Sequence, residues 1–231
     1  MFVFRAFKAT NDPELCRRFL DGHVQVLKDY GITNITTNND QWMRNESVYC
    51  IVAEKDGVIH GGIRVHMVNH KDPLPVETAI GDMDPRIHEI ILEEAPKGAG
   101  ELCGLWNSKA VAGLGISILL VRAGISIVNQ FDLTILFTIC ADYTMPMVKK
   151  VGFVVERSIG DDGSFFYPNP NYIAKVLRRI NAITLETAEP FDRDRIINLR
   201  EKPEQLTTEI GKKEQKIEVK YELIIPNIQQ K

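Results

Sequence analysis

Residues 98–153 read GAGELCGLWNSKAVAGLGISILLVRAGISIVNQFDLTILFTICADYTMPMVKKVGF. The order is strand, glycine-bearing turn, buried helix, strand, short helix and the start of a further strand. Glu101 to Trp106 is an apolar run headed by one acid, and Leu133 to Ala141 is a second run rich in Ile, Thr and Phe, the pattern of strands buried on both faces. Between them, Gly113 to Val128 carries a single charge, Arg122, and a helix apolar nearly all round belongs in the middle of a domain. Its first turn is Ala112-Gly113-Leu114-Gly115. No bulky side chain shields the free backbone N–H groups there, so a ligand phosphate can come close.

Outward toward the N-terminus, residues 69–97 form a long connection. It holds a turn-rich part, HKDPLPVETAIGDMDP, and an amphipathic helix, RIHEIILEEAP, with Ile87, Ile90, Ile91 and Leu92 expected inward and Glu89, Glu93 and Glu94 expected in water. Ser47–Glu54 and Val58–Val68 are strands joined through Lys55-Asp56-Gly57, a strong hairpin signal. Gly61-Gly62 inside the second strand implies a bulge or the close approach of another backbone. Phe2–Ala9 alternates like a strand, and Asn11-Asp12-Pro13-Glu14 opens a helix whose apolar face includes Leu15, Phe19, Val26 and Leu27. A polar segment containing Asn34, Asn38, Asn39 and Asp40 then carries Trp42, which tops a pocket or packs on the core.

Beyond Phe153 the strand runs on to Arg157, Gly160–Gly163 turns the chain, and Ile173, Val176, Leu177 and Ile180 recur at helical spacing. From residue 186 the composition shifts to a charged helix, FDRDRIINLRE, and an alternating strand, KIEVKYELII. That strand is expected to pair with another edge, in its own chain or in a homodimer. The expected division is a domain over 1–185 and a C-terminal extension over 186–231.

Composition narrows the function. The chain has 231 residues, 44% of them apolar, and a net charge of −3, which suits one full core and gives no electrostatic reason to expect nucleic acid. The pairs Lys149-Lys150 and Lys212-Lys213 have acids nearby. Cys16, Cys50, Cys103 and Cys140 are widely spaced within apolar patterns, as in reduced core residues of a cytoplasmic protein. No stretch reaches the ~20 apolar residues of a membrane span. His60, His66 and His70 lack a carboxylate or cysteine at ligand spacing, so no metal is expected. Gly-Leu-Gly by itself is not a dinucleotide fingerprint, and no Lys-Ser or Lys-Thr follows it as in a Walker loop.

The layout resembles the GCN5-related N-acetyltransferase (GNAT) superfamily over roughly residues 2–167. That resemblance implies a mixed α/β fold whose central sheet, flanked by helices, splays between its fourth and fifth strands to admit acyl-CoA. The family's pyrophosphate loop, Arg/Gln-x-x-Gly-x-Gly/Ala, corresponds to Ala110-Val111-Ala112-Gly113-Leu114-Gly115, with Ala110 where the family has Arg or Gln. The family's tyrosine four residues before Gly-Phe corresponds to Val148. Carried over, the donor contacts fall on Leu105, Asn107, Lys109, Ala112, Gly113, Leu114, Gly115 and Ile116, with Lys109 or Arg122 the available cations. Glu101 is the candidate base, and Tyr143 the candidate acid in place of the missing tyrosine.

RVHMVNHKDPLPVETAIG (64–81) and Gly100-Glu101-Leu102-Cys103 are similar to segments of acyl-homoserine lactone synthases and N-acyl amino acid synthases, which take acyl groups from acyl carrier protein. The arginine that follows the glutamate in the lactone synthases would fall near Gly104. The resemblance implies an acyltransferase using acetyl-CoA, a longer acyl-CoA or acyl carrier protein, and a small-molecule amine as acceptor. A carrier protein is acidic and would need a basic face built from Lys109, Lys149 and Lys150. Three functions stay open at this point: an acyltransferase acting on a small-molecule amine, a non-catalytic protein of the same fold that binds an acyl thioester or another small ligand, or acyl-homoserine lactone synthase-like autoinducer synthesis.

Overall fold

The central stretch forms a strand, helix and strand in a computed structural model that describes residues 1–32, 39–131, 133–211 and 214–226. Strand β4 (Ala99–Asn107) leads through the glycine turn into α4 (Ile116–Ile127), and β5 (Ile135–Ala141) returns parallel to β4. Gly113 and Gly115 both take positive φ, +82° and +88°, so the turn needs glycine at these two positions. Asn34, Asn38, Lys212 and Lys213 lie outside the described residues.

The remaining elements are β1 (Phe2–Lys8), α1 (Pro13–Asp29), β2 (Val48–Lys55), β3 (Val58–Met67), α2 (Pro75–Ile80), α3 (Arg86–Glu94), α5 (Met145–Lys150), β6 (Val154–Val155), β7 (Ser164–Phe166), β8 (Ile173–Arg179), α6 (Pro190–Glu201), β9 (Glu204–Ile210) and β10 (Lys216–Glu222). One mixed sheet runs β6-β8-β5-β4-β3-β2-β1-β10-β9, with β7 paired to β8. Asp12 caps α1 through Leu15 N–H at 3.0 Å. Helices α1, α2 and α3 cover one face of the sheet and α4, α5 and α6 the other.

Local pattern and structure part at three places. The stretch with Ile173, Val176 and Leu177 is strand β8, held between β5 on one side and β6 and β7 on the other; for so short an apolar run periodicity does not distinguish strand from helix. Within the turn-rich connection, 75–80 is a helix started by Pro75, with Glu77 accepting a hydrogen bond from Leu74 N–H at 2.7 Å. On α3, Ile87, Ile91 and Glu94 share the buried face while Leu92 is exposed, as the i, i+4, i+7 positions of a helix require. Glu94 ion-pairs with Lys97 and Arg178.

Residues after 186 continue the sheet. β10 lies parallel to β1, pairing Phe2 to Arg5 with Val219 to Glu222, and antiparallel to β9. Both of its edges are occupied, so it offers none to a second copy. Helix α6 packs on α4, where Arg122 bonds Asp192 at 2.7 Å in a pair buried on both sides. Asp192→Ala would leave the guanidinium buried without its carboxylate, and urea unfolding should show a loss of ~3–5 kcal/mol. Replacing both residues by apolar ones of similar volume should cost much less.

Candidate active site

Strands β4 and β5 pair only through Ala99–Ile135, Gly100–Leu136 and Glu101–Phe137. Past that point β5 stays with β8, from Thr138–Leu177 to Ala141–Ala174, while β4 stays with β3. A bulge sharpens the divergence: Gly104 and Leu105 stand opposite the single residue Ile63, and Gly104 has φ +60°. The gap is a cleft of about 220 Å3 walled by residues 101–105 and 138–141 and closed by His23, Met147, Val148, Tyr167 and Tyr172. It lies at the carboxyl ends of two parallel strands, where ligands of open α/β sheets bind.

Glu101 is fully buried in this wall. Its Oε2 accepts a hydrogen bond from Val76 N–H at 2.7 Å, and Oε1 has no hydrogen-bond partner among the described residues. Burial pushes its carboxyl up to about 8, against the opposing pull of the Val76 amide and the Arg64 charge. A carboxylate with a free oxygen and an affinity for protons near neutrality is chemically suited to take a proton from an amine. The segment that supplies the Val76 amide starts α2, so the long connection between β3 and β4 folds back to seat this group.

The structure brings together part of the expected donor set. Leu105 lines the cleft beside Glu101, and Tyr143 lines it as well, with 81% of its surface exposed. Asn107, Lys109 and the turn from Ala112 to Ile116 lie past the end of the cleft wall. Asn107 Oδ1 accepts from the Ser117 hydroxyl, tying β4 to the first turn of α4. Lys109 lies 3.6 Å from Asp29 and over the Tyr30 ring. Arg122, the other expected cation, is engaged by Asp192 on the α6 side and is withdrawn from the turn. Around Gly113 the space is open, with nothing within 4 Å of an added Cβ.

Residues not singled out from the sequence complete the cleft. Burial pushes His23 down to about 3, so it is neutral. Cys103 faces the same side as Glu101 and burial pushes its thiol up. Arg64, opposite Cys103 on β3, is 1% exposed and stacks on Trp42 with its guanidinium carbon 4.3 Å from the ring centroid. A charged residue inside an otherwise apolar strand was the available signal for it. Gly61 and Gly62 show why that strand carries glycines: an added Cβ would meet Trp106 O at 2.8 Å and the Phe19 ring at 2.3 Å.

A sheet opened between its fourth and fifth strands, with a glycine turn leading into the helix that joins them, defines the fold of GNAT acyltransferases. Solved structures agree. FeeM, an N-acyl amino acid synthase from uncultured soil microbes, superposes with a TM-score of 0.62 at 12% identity, covering 84% of this chain and 98% of that one. The acyl-homoserine lactone (AHL) synthase LasI gives 0.56 at 18% identity, covering 82% and 96%. The CoA-dependent acyl-homoserine lactone synthase BjaI, solved with SAM and isopentyl-CoA, gives 0.55 at 14% identity, covering 85% and 90%. No protein-family profile and no curated protein matches the sequence. Among the described residues no helix is long and apolar enough to cross a membrane.

The shifted carboxyl has a thermodynamic signature. Folded Glu101 holds its proton up to about 8 against an ordinary 4.5, so the folded state binds the proton more tightly. The stability it contributes is full below 4.5 and is lost as pH rises through 8. Thermal melts should show the unmodified protein losing Tm across that window relative to Glu101→Gln, which can still accept the Val76 hydrogen bond.

Proposed function

We propose that this protein is an N-acyltransferase that moves an acyl group from a CoA or acyl-carrier-protein thioester to the amine of a small molecule. The observation that carries this reading is the juxtaposition of a β4 edge unpaired beyond Glu101 with the free carboxylate oxygen of Glu101 in the same wall. The unpaired backbone groups of 102–107 can pair with the amide-bearing arm of the donor, as a further strand would. Leu102, Ile139, Met147 and Val148 line the apolar part of the cleft and would take the acyl chain. Beyond the cleft, the Gly113–Gly115 turn and the first amides of α4 would receive the donor's phosphates. Lys149 and Lys150, exposed at the end of α5, supply positive charge suited to an acidic carrier protein.

The amine nitrogen attacks the thioester carbonyl carbon, an N–C bond forms, and the C–S bond breaks. Glu101 accepts the proton that the nitrogen sheds, and the departing thiolate takes a proton from Tyr143, which solvent replaces. The products are an amide and a free thiol. No metal enters this scheme.

Glu101 acts as base in its ionised form. The kcat/KM should therefore rise with pH through about 8 and level off above it. Glu101→Gln should lower turnover by ~10²–10⁴-fold and abolish that rise, with little change in donor affinity. The assay pairs labelled acetyl-CoA, long-chain acyl-CoA and acyl carrier protein with a mixture of amino-acid amines. Donor binding without turnover in every pairing would establish a non-catalytic thioester-binding protein instead.

Gly113→Ala tests the phosphate turn. With open space around it, the added methyl costs only the strain of a left-handed backbone, ~1–2 kcal/mol, and the variant should fold. Calorimetry should show weaker acyl-CoA binding and unchanged binding of the corresponding acyl-pantetheine, which has no phosphate.

A further inference from the structure

The glycines that open the turn before α4 also leave it permissive. Gly113 and Gly115 flank Leu114, and with glycine on both sides the peptide planes of Leu114 can turn over at little steric cost. The direction of those planes matters more here than the side chains do. Ala110 carries no charge, Lys109 lies beside Asp29, and Arg122 is taken by Asp192, so an anion at the start of α4 depends on backbone N–H groups. A trans peptide is planar, with its C=O and N–H pointing in opposite directions. Holding the carbonyl of Leu114 therefore aims the N–H of Gly115.

The group that holds it comes from the C-terminal extension. Gly211 follows β9, and its N–H donates to Gln215 O at 2.8 Å, just before β10. Its φ lies outside the left-handed region, so backbone conformation does not call for glycine there. Close approach does: an added Cβ would fall well inside contact distance of the Leu114 carbonyl oxygen, 3.2 Å from the Leu114 carbonyl carbon and 3.0 Å from Cδ1 of Ile217. In glycine that direction carries a hydrogen, so a Cα–H faces the Leu114 oxygen. The rest of the extension grips the same helix further along. Asp192 holds Arg122, Arg200 Nη2 donates to Ile125 O at 3.2 Å, and Gln130, past the end of α4, donates to Leu223 O at 2.8 Å. Gly211 is the contact at the helix start.

We propose that Gly211 is a positioning residue of the donor site: by backing the Leu114 carbonyl, the C-terminal extension orients the Gly113–Gly115 turn for the phosphates of the acyl donor. The inference rests on the acyltransferase reading for the identity of the donor, and on the Gly211–Leu114 contact for the orientation. Any side chain at 211 must displace either the extension or the Leu114 peptide, because the atom it meets is backbone and not the end of a flexible side chain. The effect falls on phosphate recognition. The pantetheine arm and acyl chain would lie along β4 and in the cleft, whose lining includes no residue of β9 or β10.

The test compares acyl-CoA with the corresponding acyl-pantetheine by calorimetry on the unmodified protein, Gly211→Ala and Gly113→Ala. Gly211→Ala should weaken acyl-CoA binding ~10–100-fold, the contribution of a charge-assisted hydrogen bond, and leave acyl-pantetheine binding unchanged. Reciprocity of coupled sites supplies a measurement that needs no variant and serves even if Gly211→Ala fails to fold. In the unmodified protein acyl-CoA should slow backbone amide exchange in β9 and β10, and acyl-pantetheine should not. Three results would each overturn the role of Gly211 while leaving the acyltransferase reading in place: acyl-CoA affinity lost in Gly113→Ala but kept in Gly211→Ala, equal loss of both ligands in Gly211→Ala, or exchange in β9 and β10 indifferent to acyl-CoA. Acyl-CoA bound no more tightly than acyl-pantetheine by the unmodified protein would remove the phosphate turn and this inference with it. Binding of neither ligand would remove the acyltransferase reading as well.

Discussion

Everything about the site depends on β4 being hydrogen-bonded to β5 for three residues and then released. A buried strand edge without partners is costly, since each free N–H or C=O in an apolar surrounding forfeits a hydrogen bond. The molecule supports this open edge from elsewhere. β4 is secured along its other side to β3, α4 packs across the sheet face beside it, and β5 is held by β8. The bulge at Gly104–Leu105 turns β4 away at the same point. The opening is thus flanked by the β3–β4 ladder on one side and the β5–β8 ladder on the other.

The same bulge links two sets of buried charges. Gly104 leaves space for Arg64; burial raises the proton affinity of Glu101 and lowers that of His23 and His66, and the Arg64 charge, after the Val76 amide, opposes the first shift and adds to the second. Burial thus sets the electrostatics of this wall, and Arg64, which has no ion-pair partner among the described residues, modifies it. On the opposite face the logic differs: Arg122 and Asp192 satisfy each other and join the C-terminal helix to the central one. Arg122 serves the fold, whereas Arg64 is left over by it.

Much of the fold was legible. The apolar runs that became β4 and β5, the nearly uncharged helix between them and the Asp-Gly hairpin follow from residue pattern, because each depends on local periodicity or turn chemistry. Glu101 was legible as an acid heading a buried strand, and the glycines at 113 and 115 as a turn whose backbone N–H groups no bulky side chain shields. What the pattern mislaid has a common cause. β8 has helical spacing but lies between partners that come from distant parts of the chain. Arg122 is the nearest cation in sequence to the turn, yet it faces a helix seventy residues away. Arg64 gave little sign because its meaning depends on having no partner, which only three-dimensional neighbours decide.

The sequence by itself determined the order of elements, the strand–turn–helix centre and a resemblance to the GNAT acyltransferases, since these rest on periodicity, glycine positions and spacing within short segments. Tertiary structure alone decided that β4 and β5 part just after Glu101, that the connection after β3 returns to give Glu101 one amide and leave its other oxygen without a partner among the described residues, and that Arg64 stands diagonal to it on the same face with no ion-pair partner among those residues. Proton affinity, desolvation and the availability of a charge are properties of neighbours in space, and those neighbours are contributed by residues tens of positions apart.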